Sequence, residues 1–159
     1  MSNRSTAHDT MVLERVYSAD VARVFAAWSD PAAKRSWFTG EGGDGEYSLD
    51  FRVGGREFSR AALPGDGDVY TYDAVFHDIV PGQRIVYTNH MLRNDDRISV
   101  SLTSVEFAPD PAGTRLTLTE HGVYLDDLDR PEYREQGIAE QLRALAAALD
   151  AVPSLESGK

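Results

Sequence analysis

Glu120 is the residue whose chemistry most needs explaining. It closes the alternating run Leu116, Leu118, Glu120, so a strand there carries a carboxylate on the face that holds two leucines. Desolvation raises the pKa of an unpaired carboxylate in such a place, and such a group can serve as general acid or base toward an enolisable ligand. The plainer alternative is a structural ion pair with Arg15, on a first strand expected beside the last; buried carboxylates are usually paired. A second group of polar side chains, Tyr70, Tyr72, Tyr87 and Asn89, falls on otherwise apolar strand faces. These could hydrogen-bond a carbonyl or hydroxyl on a mostly apolar ligand. Tyrosine can also fill a core with its ring while its hydroxyl finds water or backbone. Asn89 has no apolar body to justify an inward position.

The elements that must hold these residues follow from periodicity and turn chemistry. "TMVLERVY", Thr10 to Tyr17, alternates as a strand. Val21, Val24, Phe25 and Trp28 share one helical face, and Asp30-Pro31 starts a second short helix ending near Trp37 and Phe38. About six strands follow, each joined to the next by a short turn, which predicts an antiparallel meander. Pro64 to Gly67 reads as one of the turns. Asp129 and Glu132 have capping-box spacing ahead of a last helix whose apolar stripe is Ile138, Leu142, Leu145 and Leu149.

Turn positions give a strand register. Centring one hairpin on Pro81-Gly82 sets Phe76 opposite Tyr87 and Tyr72 opposite Met91. Centring the next on Asn94-Asp95 sets Tyr87 opposite Leu102 and Asn89 opposite Val100. Across the loop "APDPAG", Val100 then faces Glu120 and Leu102 faces Leu118. Opposed residues share a face, so the predicted inner face holds Tyr70, Tyr72, Phe76, Tyr87, Asn89, Met91, Val100, Leu102, Leu118 and Glu120. Ser99, Ser101 and Thr103 are assigned outward. Gly137, Ile138 and Gln141 of the last helix complete the expected cavity.

Composition narrows the partners. A chain of 159 residues suits a single domain, here residues 10–150 between a disordered tail, 1–9, and a frayed one, 151–159. There is no cysteine, which excludes disulfides and thiolate chemistry. A net charge of −10 repels phosphate backbones, so nucleic acid is not expected. No apolar run is long enough to enter a membrane as a span, and the start "MSNRSTAHDT" lacks a secretory core; a cytoplasmic protein is expected. The histidines lack metal-ligand spacing, and neither metal nor cofactor is expected. "GEGGDG" matches G-x-G-x-x-G but follows a helix and carries Glu41 and Asp44, which would repel a pyrophosphate; a loop or lid beside the cavity mouth is the better reading.

The stretches "RVYSADVARVFAAWSDPAAKRSWF", "PGDGDVYTYDAVFHDIVPGQRIVYT" and "DDRISVSLTSVEF" with "GTRLTLTEHGVYLDD" resemble, in that order, the SRPBCC or START-like superfamily. Within it they are most similar to the branch of the activator of the heat-shock-protein ATPase. The resemblance covers Leu13 to Leu149 and implies an α+β helix-grip fold: about seven antiparallel strands curved around a C-terminal helix, with a cavity between. It also implies a small apolar partner of lipid, polyketide or flavonoid type. One departure is Gly137-Ile138, where that branch often has Gly-Trp; a smaller side chain there could enlarge the cavity. The resemblance supplies no catalytic motif. The expectation is therefore a binding protein without assigned catalysis. The alternatives are a cyclase or dehydratase using Glu120, and a co-chaperone-like regulatory module with a protein partner.

Overall fold

The computed structural model describes residues 4–39, 45–62 and 67–150. Seven strands form one antiparallel sheet in the order β1-β7-β6-β5-β4-β3-β2. They are β1 (Thr6–Tyr17), β2 (Glu46–Leu49), β3 (Arg56–Ala62), β4 (Val69–Val80), β5 (Arg84–Arg93), β6 (Asp96–Asp110) and β7 (Gly113–Leu125). Two short helices, α1 (Val21–Ser29) and α2 (Pro31–Phe38), follow β1, and α3 (Pro131–Asp150) closes the chain. Strands β2 to β7 run as a meander, and β1 returns along β7. The sheet is curved around α3, the helix-grip arrangement of an α+β fold.

The two short helices share one capping residue. Asp30 ends α1 by donating its N–H to the Ala26 carbonyl, while its carboxylate accepts from the Ala33 N–H at 2.9 Å to start α2. Trp37 donates its ring N–H to the Ala27 carbonyl at 3.0 Å, locking the helices against each other. Tyr17 fastens β1 to α3 through the Leu142 carbonyl at 3.0 Å. Edge-to-face rings run through the core from Phe107 through Phe25, Phe51 and Phe76 to Tyr87, with neighbouring centroids 5.1 to 5.9 Å apart. The stripe Ile138, Leu142, Leu145 and Leu149 is buried, as its spacing predicts.

Three expectations need correction. First, β1 begins at Thr6 rather than Thr10, because Asp126 binds the chain ahead of it. The Asp126 N–H donates to the Ser5 carbonyl at 2.8 Å, and its carboxylate accepts from the Ser5 N–H and from Arg4. Second, there is no Asp129–Glu132 capping box. The Asp129 carboxylate accepts from the adjacent Arg130 N–H, and it is the Arg130 carbonyl that takes the first N–H bonds of α3.

The third correction concerns β6. Its register against β5 shifts between Met91 and Leu92, where Met91 faces Ser99 but Leu92 faces Arg97. One extra residue, Ile98, therefore enters β6 as a bulge. At the other end the hairpin to β7 is closed by Pro111 and Ala112 alone, with Asp110 opposite Gly113. Gly113 has φ +141°, and a Cβ there would meet the Tyr17 carbonyl oxygen at 2.2 Å, so no larger residue closes this turn. Both effects shift the register by an odd number of residues. Tyr87 thus faces Thr103 and Asn89 faces Ser101, while Thr103 and Val105 face Glu120 and Leu118. Ser99, Ser101 and Thr103 are buried; Val100 and Leu102 are 41% and 46% exposed on the outer face. Faces of β4, β5 and β7 agree with the pattern reading; that of β6 is inverted. The tail 151–159, most of the glycine-rich loop (residues 40–44) and most of the Pro64 turn lie outside the described residues.

Candidate functional site

A cavity of about 230 Å³ lies between the sheet and the first half of α3. Its sheet wall is Ser59 and Ala61 of β3, Tyr70 and Tyr72 of β4, Tyr87 and Met91 of β5, and Leu118 and Glu120 of β7. Arg134, Ile138, Gln141 and Leu142 of α3 form the opposite wall. Trp28 of α1, with Trp37, Phe38 and Thr39 at the end of α2, closes one side. Of the residues singled out from sequence, Tyr70, Tyr72, Tyr87, Met91, Leu118, Glu120, Ile138 and Gln141 border this space. Asn89 is buried behind it, and Phe76 packs against Tyr87 in the core. Gly137 is exposed on α3, and a Cβ there would meet nothing within 4 Å. Val100 and Leu102 point away from the cavity because of the β6 bulge.

Glu120 does not pair with Arg15. Arg15 sits opposite Leu116, a full four residues along β7, and its guanidinium donates to the Glu14 carbonyl. The partner is Arg134, in the first turns of α3. Its Nε donates to Glu120 Oε2 at 2.7 Å and its Nη2 to Oε1 at 3.1 Å, a two-pronged contact. Thr103 adds a hydroxyl bond to Oε1 at 2.6 Å, and the Asn89 amide donates to Thr103 at 3.2 Å. The inverted face of β6 thus supplies the hydroxyl that this charge pair uses. Burial alone would raise the Glu120 pKa, but the Arg134 charge and the hydrogen bonds outweigh it and hold the carboxyl below its ordinary range. Desolvation pushes the pKa values of Tyr72 and Tyr87 up, so both stay as neutral phenols.

Arg134 was the residue that pattern reading missed, although one signal pointed to it. The stripe Ile138, Leu142, Leu145, Leu149 extended one turn toward the helix start reaches position 134. A second ion pair lies under the aromatic wall. Lys34 of α2 and Glu57 of β3 are both buried, with Nζ 2.9 Å from Oε2, and the Tyr47 hydroxyl donates to the same carboxylate at 2.6 Å. The Lys34 ammonium lies 4.3 Å from the Phe38 ring centre and 4.8 Å from that of Trp28. Burial lowers its pKa, and Glu57 opposes that shift. Nothing local in the sequence pairs residues 23 positions apart.

The arrangement can hold a compact molecule with a largely aromatic surface and offer it a few polar groups near the Arg134 end. Among the described residues no helix is long and apolar enough to cross a membrane. No curated protein matches the chain. Among solved structures, a protein of Rhizobium leguminosarum is 44% identical, with a TM-score of 0.89, covering 93% of this chain and 98% of that one. A protein of Rhizobium loti is 45% identical, TM-score 0.84, covering 91% and 99%. A protein of Aeromonas hydrophila described as AHSA1-like shares the fold at 19% identity, TM-score 0.67, covering 90% and 93%. Residues 18–150 match the family model described as Activator of Hsp90 ATPase homolog 1-like protein, and the chain belongs to that family.

Proposed function

We propose that this protein is a binding module that encloses a compact, mainly aromatic molecule between its sheet and α3, without catalysing a reaction on it. The observation that carries this reading is the cavity itself, walled by Trp28, Trp37, Phe38, Tyr72 and Tyr87, with polar side chains from Ser59, Glu120, Arg134 and Gln141 set among them; small-molecule sites combine an apolar wall with placed polar groups in this way. Its volume of about 230 Å³ favours a molecule of one or two rings over an extended acyl chain. The Glu120 oxygens are taken up by Arg134 and Thr103, which argues against a free acid or base and so against a cyclase or dehydratase.

Both tryptophans of the chain border the cavity, so their emission reports on its contents. Titration with a panel of aromatic ketones, flavonoids, polyketide-like compounds and fatty acids should change that emission saturably for ring compounds. A panel that leaves the emission and the amide resonances of β4, β5 and α3 unchanged removes the proposal. A regulatory role toward a protein partner is favoured by a different feature, the exposed Val12, Val100 and Leu102 on the outer face of the sheet in a chain of net charge −10. That reading gains if the emission stays unchanged.

A further inference from the structure

We infer that the cavity selects a ligand with an uncharged oxygen acceptor, a ketone or amide carbonyl, which binds Nη1 of Arg134; the inference rests on the binding role proposed above. Arg134 has five N–H donors in a fixed fork. Nε and Nη2 are used on Glu120, and Nη2 also reaches the Asn89 amide oxygen at 3.3 Å. Among the described residues, Nη1 has a single hydrogen-bond partner, the Met91 thioether sulfur at 3.0 Å. A thioether is a weak acceptor, and the side chain is only 12% exposed, so a cationic N–H group stands under-satisfied at low local dielectric. Arg134 and Met91 both border the cavity. A carbonyl oxygen placed there replaces a poor acceptor with a good one.

Charge decides which oxygen. Glu120 already neutralises Arg134 and itself borders the cavity. A ligand carboxylate at Nη1 would leave one uncompensated negative charge beside Glu120, where the Asn89 amide oxygen is a further acceptor on Arg134 and Tyr72 and Tyr87 are neutral phenols. A neutral carbonyl adds dipole without net charge. Met91, unbranched and flexible, can turn its sulfur aside to admit it.

The experiment uses the full chain and three probes on one ring skeleton: 2-acetylnaphthalene, 2-ethylnaphthalene and 2-naphthoate, each titrated by calorimetry at pH 7. The ketone is expected to bind on the order of tenfold tighter than the hydrocarbon, and the carboxylate more weakly than either. In the charge-neutral double variant Glu120→Gln/Arg134→Met, with folding checked by thermal melting, the ratio of ketone to hydrocarbon affinity should fall to about one, and a ketone preference that persists there overturns the inference. Equal binding of ketone and hydrocarbon by the natural protein overturns the inference and leaves the binding role intact. Tightest binding of the naphthoate overturns it too. Failure of all three to bind overturns both.

Discussion

Lys34 and Glu57 place opposite charges where water cannot reach either, and the consequence is testable by removing them in turn. Taking away one partner of a buried pair leaves the other desolvated and alone, which costs more than the pair contributes. Lys34→Met is expected to lower unfolding free energy by about 3 kcal/mol in urea melts. Adding Glu57→Gln should recover most of that loss, since the orphaned charge disappears while Tyr47 keeps an acceptor. Independent, additive losses would mean that the pair is not coupled. The Glu120–Arg134 pair makes a pH prediction. Its carboxyl has a folded-state pKa below the unfolded value, so the pair's contribution is present above the unfolded pKa of about 4.3 and is lost as pH falls through the folded pKa. Glu120→Gln should therefore cost about 2 to 3 kcal/mol at pH 7 and progressively less toward pH 3. A cost that stays constant with pH would show that the carboxylate charge is not what Arg134 uses.

At the scale of single elements, β6 decides which side chains see the cavity side of the sheet. Its sequence, Ile98 to Thr103, alternates cleanly, and simple alternation puts Ile98, Val100 and Leu102 inside. The bulge at Ile98 reverses this from Ser99 onward. Thr103→Val is accordingly expected to cost about 1 to 2 kcal/mol, because it strips a buried bond from Glu120. Leu102→Thr, on the outer face, should change stability by no more than about 0.5 kcal/mol. The reverse order of effects in denaturant melts would restore the inner assignment of Leu102. Helices were legible because Asp30, Pro31 and the α3 stripe act locally, within a turn or two. The Pro81-Gly82 turn was legible for the same reason, although Gln83 joins it, and a bulge between Phe76 and Asp78 restores the expected Phe76–Tyr87 and Tyr72–Met91 pairs. The β6 face was not, because a bulge leaves no mark on alternation. The clue was the short turn Pro111-Ala112, which, read as two residues, places Thr103 against Glu120 directly. The ion-pair partner was misjudged on similar grounds: Arg15 is near β7 by topology, but it lies four residues from the position that pairs with Glu120, whereas Arg134 arrives from α3 on the inner side.

Among the described residues, a seven-stranded sheet, a long helix and a pair of short helices surround the cavity under α3, and a ligand bound there would register as global stability. A ligand that binds only the folded chain stabilises it by about 2.7 kcal/mol at a hundredfold excess over its Kd. For a domain of 159 residues, with about 2 to 4 °C of melting temperature per kcal/mol, that amounts to a rise of roughly 5 to 10 °C. Ile138 is the place to abolish this without breaking the frame. It is buried at the helix wall of the cavity, one turn along α3 from Arg134 on one side and from Leu142 on the other, and it carries no charge. Ile138→Trp should put its added ring into the void, where extra apolar contact offsets any packing strain. The expected result is a variant whose melting temperature is within a few degrees of the natural chain and no longer rises with a ring ligand. A variant that still shows the full rise would place the ligand somewhere other than under α3, and the exposed apolar residues of the outer sheet face would be the next surface to map.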